Sequence, residues 1–289
     1  MTRPVARFSL VIPAHNRSAL TVDCLRHLRD VGVLAWAQAI VVDDGSTDGT
    51  GAAVAAKFPE AVVLRGDGHL WWTGAIAWGM RHALASPSAT AVFWLNDDCR
   101  PDAGALELLR DVALAGECVA VGQVFGPTGL QHGGLRKRWH GLELVACPLG
   151  QVASVATMNG NCVCVPARIA ARAGLPDAAR FPQAGGDTDY GFRCQQLGIP
   201  IRVMGSVRCT DADRADPRAS SWLRGDRPLG EIARSFGSPK NYYYPSAWWL
   251  FNWRHWGVLG ILLFAAPYLR FAAIAFVRAV APRRLLRRA

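Results

Sequence analysis

The sequence predicts an α/β fold with a mostly parallel central sheet that is flanked by helices. Two observations support this prediction. Short apolar runs alternate with helix-length segments through the first two-thirds of the chain, and polar residues follow several of these runs. Strands separated by helix-length segments are typical of βαβ units, in which neighbouring strands run parallel. The carboxyl edge of such a sheet is where ligands bind.

The first strand is predicted over "FSLVIPA", which Pro13 ends. The helix that follows has apolar residues at helical spacing, begins with Ser18 as its cap and stops at Gly32. The same plan then repeats, with a strand at 39–42, a helix around 52–58, a third strand within 61–68 and a fourth within 90–98.

Polar side chains follow four of these strands. They are His15, Asn16, Asp43, Asp44, Asp67, Asp97 and Asp98. Adjacent carboxylates such as Asp97 and Asp98 repel each other unless a cation, hydrogen bonds or solvent neutralise them. Because an acidic edge repels a bare phosphate, we expect a divalent cation that bridges the protein to a nucleotide.

Composition limits the classes of function. The chain has 289 residues, of which 51% are hydrophobic, so it can form one large domain or a domain with an appendage. Its net charge of +10 indicates an anionic partner. Four arginines lie in apolar surroundings at 282–289, which favours lipid head groups and argues against nucleic acid. Neither a dinucleotide-binding fingerprint nor a P-loop is present. The scattered cysteines and the lack of a signal peptide predict reduced thiols and a cytosolic catalytic domain.

Five segments, in order along the chain, resemble the family-2 inverting glycosyltransferases of GT-A fold. They are "SLVIPAHNR", "IVVDDGSTDGT", "WLNDDC", "MNGNCVCVPARI" and "GGDTDYGFRCQQLGIPIRV". A further stretch, "GDGHLWWTGAIAWG", resembles a bacterial rhamnosyltransferase-like branch of that family. The resemblance implies a GT-A domain over residues 1–240, with a nucleotide-sugar half at about 1–125 and an acceptor half at about 126–240.

The resemblance also implies roles for individual residues. Asp98 is expected to be the direct ligand of Mg²⁺ or Mn²⁺, and Asp187 the general base. Asp189 is expected to orient Asp187 or bind the acceptor. Gly186 replaces the glutamate of the family's Glu-Asp pair, and Asp211 lies where the family often has a metal-binding histidine. The residues expected to bind the donor are Pro13, Ala14, His15, Asn16, Asp43, Asp44, Asp67, Gly68, Trp72, Asn96 and Asp97.

Several of these residues have structural alternatives. Asp43 and Asp44 could cap a helix, and so could Asp187 or Asp189. Trp72 could stack on a sugar or belong to the core. His132 is expected to be a loop residue without a catalytic role.

The composition changes at residue 241. Aromatic residues come first, apolar residues follow, and arginines end the chain. The uncharged stretch between Arg254 and Arg270 has 15 residues, fewer than the roughly 20 needed to cross a bilayer, and Pro267 interrupts it. We therefore expect residues 241–289 to form amphipathic or apolar helices on an anionic membrane surface, at the cytoplasmic side of a bacterial inner membrane, without crossing it. The alternative is packing on the catalytic domain or on a homodimer partner.

The predicted activity is sugar transfer with inversion, from a nucleoside-diphosphate donor to a hydroxyl of a glycan or lipid-linked acceptor in bacterial surface polysaccharide synthesis. The donor is expected to be dTDP-rhamnose or a UDP-sugar. The alternatives are a nucleotidyltransferase, for which "PAHNRS" offers only one arginine, and a non-catalytic membrane-bound scaffold of the same fold.

Overall fold

A computed structural model of the protein describes residues 7–213 and 228–280. The described residues form two compact units. The first contains residues 7–138 and 142–213, and the second contains residues 139–141 and 228–280.

The first unit is built from β-strands and six α-helices within its described residues. The strands are β1 (Phe8–Ala14), β2 (Gln38–Asp43), β3 (Val62–Arg65), β4 (Ala91–Leu95), β5 (Cys99–Pro101), β6 (Val119–Gly126), β7 (Gly129–His132), β8 (Gly134–Arg138), β9 (Gly141–Leu144), β10 (Val152–Ser154), β11 (Thr157–Met158), β12 (Cys162–Pro166) and β13 (Ile201–Asp211). The helices are α1 (Ser18–Asp30), α2 (Thr50–Lys57), α3 (Trp71–Leu84), α4 (Ala105–Ala115), α5 (Ala167–Ala173) and α6 (Gly186–Gln196).

The main sheet has the strand order β10-β13-β6-β12-β4-β1-β2-β3. Strands β3, β2, β1 and β4 are parallel to their neighbours in this set, as are β6 and β13, whereas β12 runs antiparallel to β4 and β6. A small sheet has the order β11-β8-β9. The prediction of a mostly parallel α/β sheet of GT-A type is confirmed.

Helices cover both faces of the main sheet, because successive side chains on a strand point to opposite sides. On β1, Leu10 belongs to the core on one face with Leu25 of α1, and Val11 belongs to the core on the other face with Met80 of α3. A side chain at Gly79 would collide with Val11, so this glycine lets α3 lie close to β1. Burial on two faces explains why the strands read as continuous apolar runs.

The prediction that Ser18 caps α1 is wrong. The helix begins at Ser18. Arg17 occupies the N-cap position, and its side chain makes no capping hydrogen bond. The Ser18 amide instead donates to Asp48 Oδ2 at 3.0 Å. The acceptor comes from the loop after β2, 30 residues along the chain, so local sequence could not reveal it.

The second unit contains α7 (Leu229–Ser235), α8 (Pro245–Trp256) and α9 (Leu259–Val280). Contacts within it join α9 to the preceding segments. The Tyr268 hydroxyl donates to the Tyr243 carbonyl at 2.6 Å, and Trp248 Nε1 donates to the Phe264 carbonyl at 3.2 Å.

The predicted interruption at Pro267 is wrong, since α9 is one helix of 22 residues with this proline inside it. A proline removes one backbone hydrogen bond but need not end a helix that other contacts support. The segment Leu259–Arg278, with a mean hydropathy of 1.9, is long and apolar enough to cross a membrane by length and composition. The expectation of too short a segment was therefore also wrong, because the helix continues past Arg270. The arginines at 283–288 lie outside the described residues.

Candidate active site

The turn after β1 and the loop after β2 form one hydrogen-bonded network. His15 Nδ1 lies 2.6 Å from the Asp44 carbonyl oxygen. The Asn16 amide donates to Ser46 Oγ at 2.9 Å, and Asn16 Oδ1 accepts from the Thr47 amide at 2.8 Å. Asn16 has a positive φ of 53°, a conformation that asparagine tolerates better than most residues. The structure thus brings together polar residues that are about 30 positions apart in the sequence.

Asp43 and Asp44 are both buried, and backbone amides already bind their carboxylates. Asp43 accepts from the Ser46 amide at 3.1 Å and from the Gly51 amide at 3.0 Å. Gly51 lies in the first turn of α2, so Asp43 binds an amide at the amino-terminal end of that helix. This agrees with the alternative prediction that Asp43 stabilises a helix end. Asp44 accepts from the amides of Gly68 and Trp71, each at 2.9 Å, and so fixes the β3–α3 loop. Contact of either carboxylate with a nucleobase stays a prediction.

Glycines allow these two loops to approach each other. A side chain at Gly45 would come 2.6 Å from the Gly68 amide nitrogen, and both glycines have positive φ. Asp67 is exposed and accepts from the His69 amide at 2.9 Å. Behind the loops, the Asp44 amide donates to the Ala14 carbonyl at 2.9 Å, next to Pro13 at the end of β1.

The two adjacent acids after β4 have different surroundings. Asp97 is buried and accepts a hydrogen bond from the Thr21 hydroxyl at 2.9 Å. Burial raises the pKa of the Asp97 carboxyl to about 6, although Arg17 acts in the opposite direction. Asp98 is more accessible, and its Oδ2 lies 3.1 Å from Arg17 Nη2. The repulsion between the two carboxylates is thus reduced by the hydrogen bond from Thr21 to Asp97 and by the Arg17 guanidinium, which contacts both acids.

Arg17 and Asp213 complete this cluster, and sequence reasoning missed both. Arg17 Nη2 lies 3.0 Å from Asp213 Oδ2. The Ala212 amide donates to the Asp98 carbonyl at 2.8 Å, which places the end of β13 beside the β4 turn. Burial raises the pKa of Asp211, and the negative charge of Asp98 adds to that effect. The available signal was the arginine that ends "PAHNR" and the second acid of "DAD".

The chemistry of this cluster fits a hard divalent cation. Asp98 Oδ2 and Asp213 Oδ2 meet at one cationic nitrogen, Arg17 Nη2. Mg²⁺ is commonly held by one or two carboxylates together with substrate phosphates, so a complete protein cage is not required. Among the described residues, no group of three or more histidine, cysteine, aspartate or glutamate side chains is arranged to hold a metal.

Trp72 joins the β4 turn to the turn that precedes β12. Its Nε1 donates to Asn96 Oδ1 at 2.8 Å, and its ring packs edge-to-face on Trp94 with centroids 6.1 Å apart. A side chain at Gly160 would collide with the Trp72 ring. Trp72 is therefore half-buried between the two regions, and it donates to the side-chain oxygen of Asn96, a residue expected to bind the donor.

Asp187 lies in the first turn of α6. Its Oδ2 accepts from the Gly160 amide and its Oδ1 from the Thr188 amide, both at 2.7 Å. Burial raises the pKa of Asp187, partly offset by these amides and by the nearby His132. The N-cap residue is Gly185, so the capping alternative is wrong for Asp187 and for its neighbour two residues on. His132 was expected in a loop but is the last residue of β7. It lies within electrostatic reach of Asp187, and the absence of a catalytic role stays a prediction.

Asp189 does not share this environment. It is completely buried, and its Oδ2 accepts from Arg193 Nε at 3.1 Å, one turn along α6. Arg193 in turn donates to the carbonyls of Ala173 and Leu175. These contacts assign Asp189 to the packing of α6, and the expected role beside Asp187 is corrected accordingly.

The model of the family described as "Glycosyl transferase family 2" matches residues 9–151. This segment is similar to the sequences of family-2 glycosyltransferases. It includes the acids after β2 and β4, whereas Asp187 lies beyond the matched residues. None of the curated proteins compared with the chain has a matching sequence.

Several solved structures of glycosyltransferases share the fold of this chain. GalNAc-T7 with UDP, GalNAc and Mn²⁺ is 12% identical with a TM-score of 0.59, over 93% of this chain and 57% of that one. The mannosyltransferase PcManGT from Pyrobaculum calidifontis, in complex with GDP-Man and Mn²⁺, is 16% identical with a TM-score of 0.53, over 97% and 82%. TarS from S. aureus is 14% identical with a TM-score of 0.53, over 82% and 43%. The chain therefore spans little more than half the length of the GalNAc-T7 structure. Identities this low establish similarity of fold.

Proposed function

We propose that the protein transfers a sugar from a nucleoside-diphosphate donor to an acceptor hydroxyl, with inversion and without a covalent intermediate. The observation that carries the proposal is the arrangement around Trp72. Its indole contacts Asn96 of the acidic turn at one end and Gly160 at the other, and the Gly160 amide holds Asp187. One side chain thereby links the turn that carries Asp98, the candidate metal ligand, to the backbone that holds Asp187, the candidate base. The family match, the complex of PcManGT with GDP-Man and the complex of GalNAc-T7 with UDP and GalNAc support the same activity.

Asp187 is the proposed general base. Inversion requires a base that takes the proton of the acceptor hydroxyl as that hydroxyl attacks the sugar. The amides of Gly160 and Thr188 fix the carboxylate, and burial raises its pKa towards the range in which a base works best near neutral pH.

The acidic cluster is the proposed site of Mg²⁺ or Mn²⁺, with Asp98 as a direct ligand and Asp211 or Asp213 beside it. The cation would neutralise charge that develops on the departing diphosphate. The loops around His15, Asn16, Asp43, Asp44, Asp67 and Gly68 are proposed to bind the nucleoside and the diphosphate.

The first donors to test are dTDP-rhamnose and UDP-sugars, and the proposed acceptor is a glycan or lipid-linked glycan of bacterial surface polysaccharide synthesis. For this role we propose that α8 and α9 bind the anionic cytoplasmic face of the inner membrane. Large apolar side chains are exposed along α9, among them Leu262, Leu269, Phe276 and Val280. The alternative occupant of this surface is the partner subunit of a homodimer.

A screen of nucleotide-sugars with Mn²⁺ and a panel of acceptors tests the proposed activity. We expect release of free nucleoside diphosphate together with a glycosylated product whose anomeric configuration, measured by NMR, is inverted. Release of pyrophosphate from nucleoside triphosphates and sugar phosphates would indicate a nucleotidyltransferase instead. A catalytically silent protein across the whole panel would favour the non-catalytic scaffold.

A further inference from the structure

The backbone of Arg17 is held in place between β1 and α1. Its amide donates to Thr50 Oγ1 at 3.2 Å, and its carbonyl accepts from the Thr21 amide at 2.9 Å. These bonds do not involve the guanidinium, and the Arg17 side chain is one-third exposed. A substitution of the side chain therefore leaves both backbone contacts intact.

The guanidinium contacts three carboxylates that come from two different parts of the sheet. It lies 3.3 Å from Asp97 Oδ1, 3.1 Å from Asp98 Oδ2 and 3.0 Å from Asp213 Oδ2. The last two oxygens share a single nitrogen, Nη2. This nitrogen thus stands at the position where a cation shared by Asp98 and Asp213 would lie.

A divalent cation and the guanidinium cannot occupy this position together. A metal bound to Asp98 Oδ2 at about 2 Å would lie no more than about 5 Å from Arg17 Nη2 in its present rotamer, a separation at which like charges repel. We propose that Arg17 is an internal counter-ion of the acidic cluster which competes with the divalent cation and is displaced when the cation binds. Arg17 is therefore a positioning residue that sets the metal affinity of the site.

The proposal rests on the proposed function only in taking Asp98 as a metal ligand. Its test is binding of Mn²⁺ alone to the full-length chain, measured by EPR of free Mn²⁺ without donor or acceptor. Arg17→Gln removes the positive charge that competes with Mn²⁺, so Mn²⁺ binding should tighten about tenfold. Each ion pair of Arg17 is weak, but all three no longer have to be broken when the metal binds. Arg17→Lys keeps the charge but lacks the planar, forked guanidinium. Its Mn²⁺ affinity should therefore lie between those of the wild type and Arg17→Gln. In the double variant Arg17→Gln/Asp98→Asn the gain should disappear.

Arg208→Gln is the matched control for loss of one positive charge. Arg208 lies on β13, and its guanidinium stacks on the Phe125 ring at 3.9 Å. We expect a much smaller change in Mn²⁺ affinity for this variant. Equal gains in Arg17→Gln and Arg208→Gln would show a general charge effect and overturn the proposal. So would an unchanged or weaker affinity in Arg17→Gln, with the fold verified by circular dichroism. Because no sugar donor is used, these results stay separate from failure of glycosyl transfer, which the donor screen measures.

Discussion

Asp98 and Asp187 are both carboxylates, but their contacts give them different expected phenotypes. Asp98 meets a cationic group, whereas Asp187 is half-buried and is held by two backbone amides. Asp98→Ala should weaken Mn²⁺-dependent donor binding by at least about tenfold, because a direct ligand is lost. Asp187→Asn should leave donor affinity unchanged and lower turnover by about 10²- to 10⁴-fold, because only the base is lost. Donor titration calorimetry and single-turnover rates measure the two effects.

The control for these variants is Asp23→Asn, at an exposed position on α1. It should alter neither donor affinity nor turnover. The assignment of separate roles would be untenable if Asp98→Ala and Asp187→Asn lost donor affinity to the same extent.

Sequence reasoning located the acids of the site, but it could not supply their partners. The acids stand out because each follows an apolar run that predicts a strand. The positions of Arg17, Trp72 and Asp213 depend on contacts across 24 to 196 residues of sequence separation. No local pattern encodes such contacts. Asp189 is a different case, because its partner Arg193 lies only four residues further along the same helix. That spacing is a local pattern and could have been recognised in the sequence.

The amino-terminal end of α6 explains a departure from the family's Glu-Asp pair. Gly186 lies against Thr73 of α3 so closely that any side chain would collide with it. Gly186→Glu, which restores the family's residue, should therefore destabilise the protein by about 1–3 kcal/mol through overpacking. Chemical unfolding followed by circular dichroism measures the change.

Gly230→Glu is the matched control for that prediction. Gly230 lies in the first turn of α7, and a side chain there would meet nothing within 4 Å. Its stability should be nearly unchanged. A Gly186→Glu protein as stable as the control would mean that α3 and α6 move apart easily, and steric exclusion would no longer explain the glycine.

At the level of elements, the sequence predicted the strands more reliably than the helix ends. The apolar run of β1 predicted Phe8–Ala14, and the structure has the same bounds. Strand cores are buried on both faces, so their hydrophobicity is a direct local signal. The predicted cap of α1 was wrong because the Ser18 amide binds the distant Asp48 carboxylate. The predicted interruption of α9 was wrong because contacts with neighbouring aromatic residues support the helix.

At the scale of the whole molecule, parallel strand order brings the polar turns of β1, β2, β3 and β4 to one edge of the sheet. The sequence predicted this convergence because it follows from the α/β topology alone. No comparable topological rule predicts what the second unit binds. Its composition indicates an apolar surface, but composition does not distinguish a membrane from a protein partner as the group that covers it.

Substitution of exposed residues on α9 separates these two partners. Leu262, Leu269 and Phe276 are 67–69% exposed, so their replacement by glutamine removes little packing. If they enter a lipid interface, each contributes on the order of 1 kcal/mol, and the triple variant should partition about 100-fold less into anionic vesicles. Co-sedimentation of the full-length protein measures this.

The matched control replaces three exposed leucines of the first unit by glutamine, namely Leu108, Leu149 and Leu197. It should sediment like the wild type. If the wild type does not sediment with vesicles, while the α9 variant changes from dimer to monomer in analytical ultracentrifugation, the surface binds a second copy and the membrane proposal is wrong.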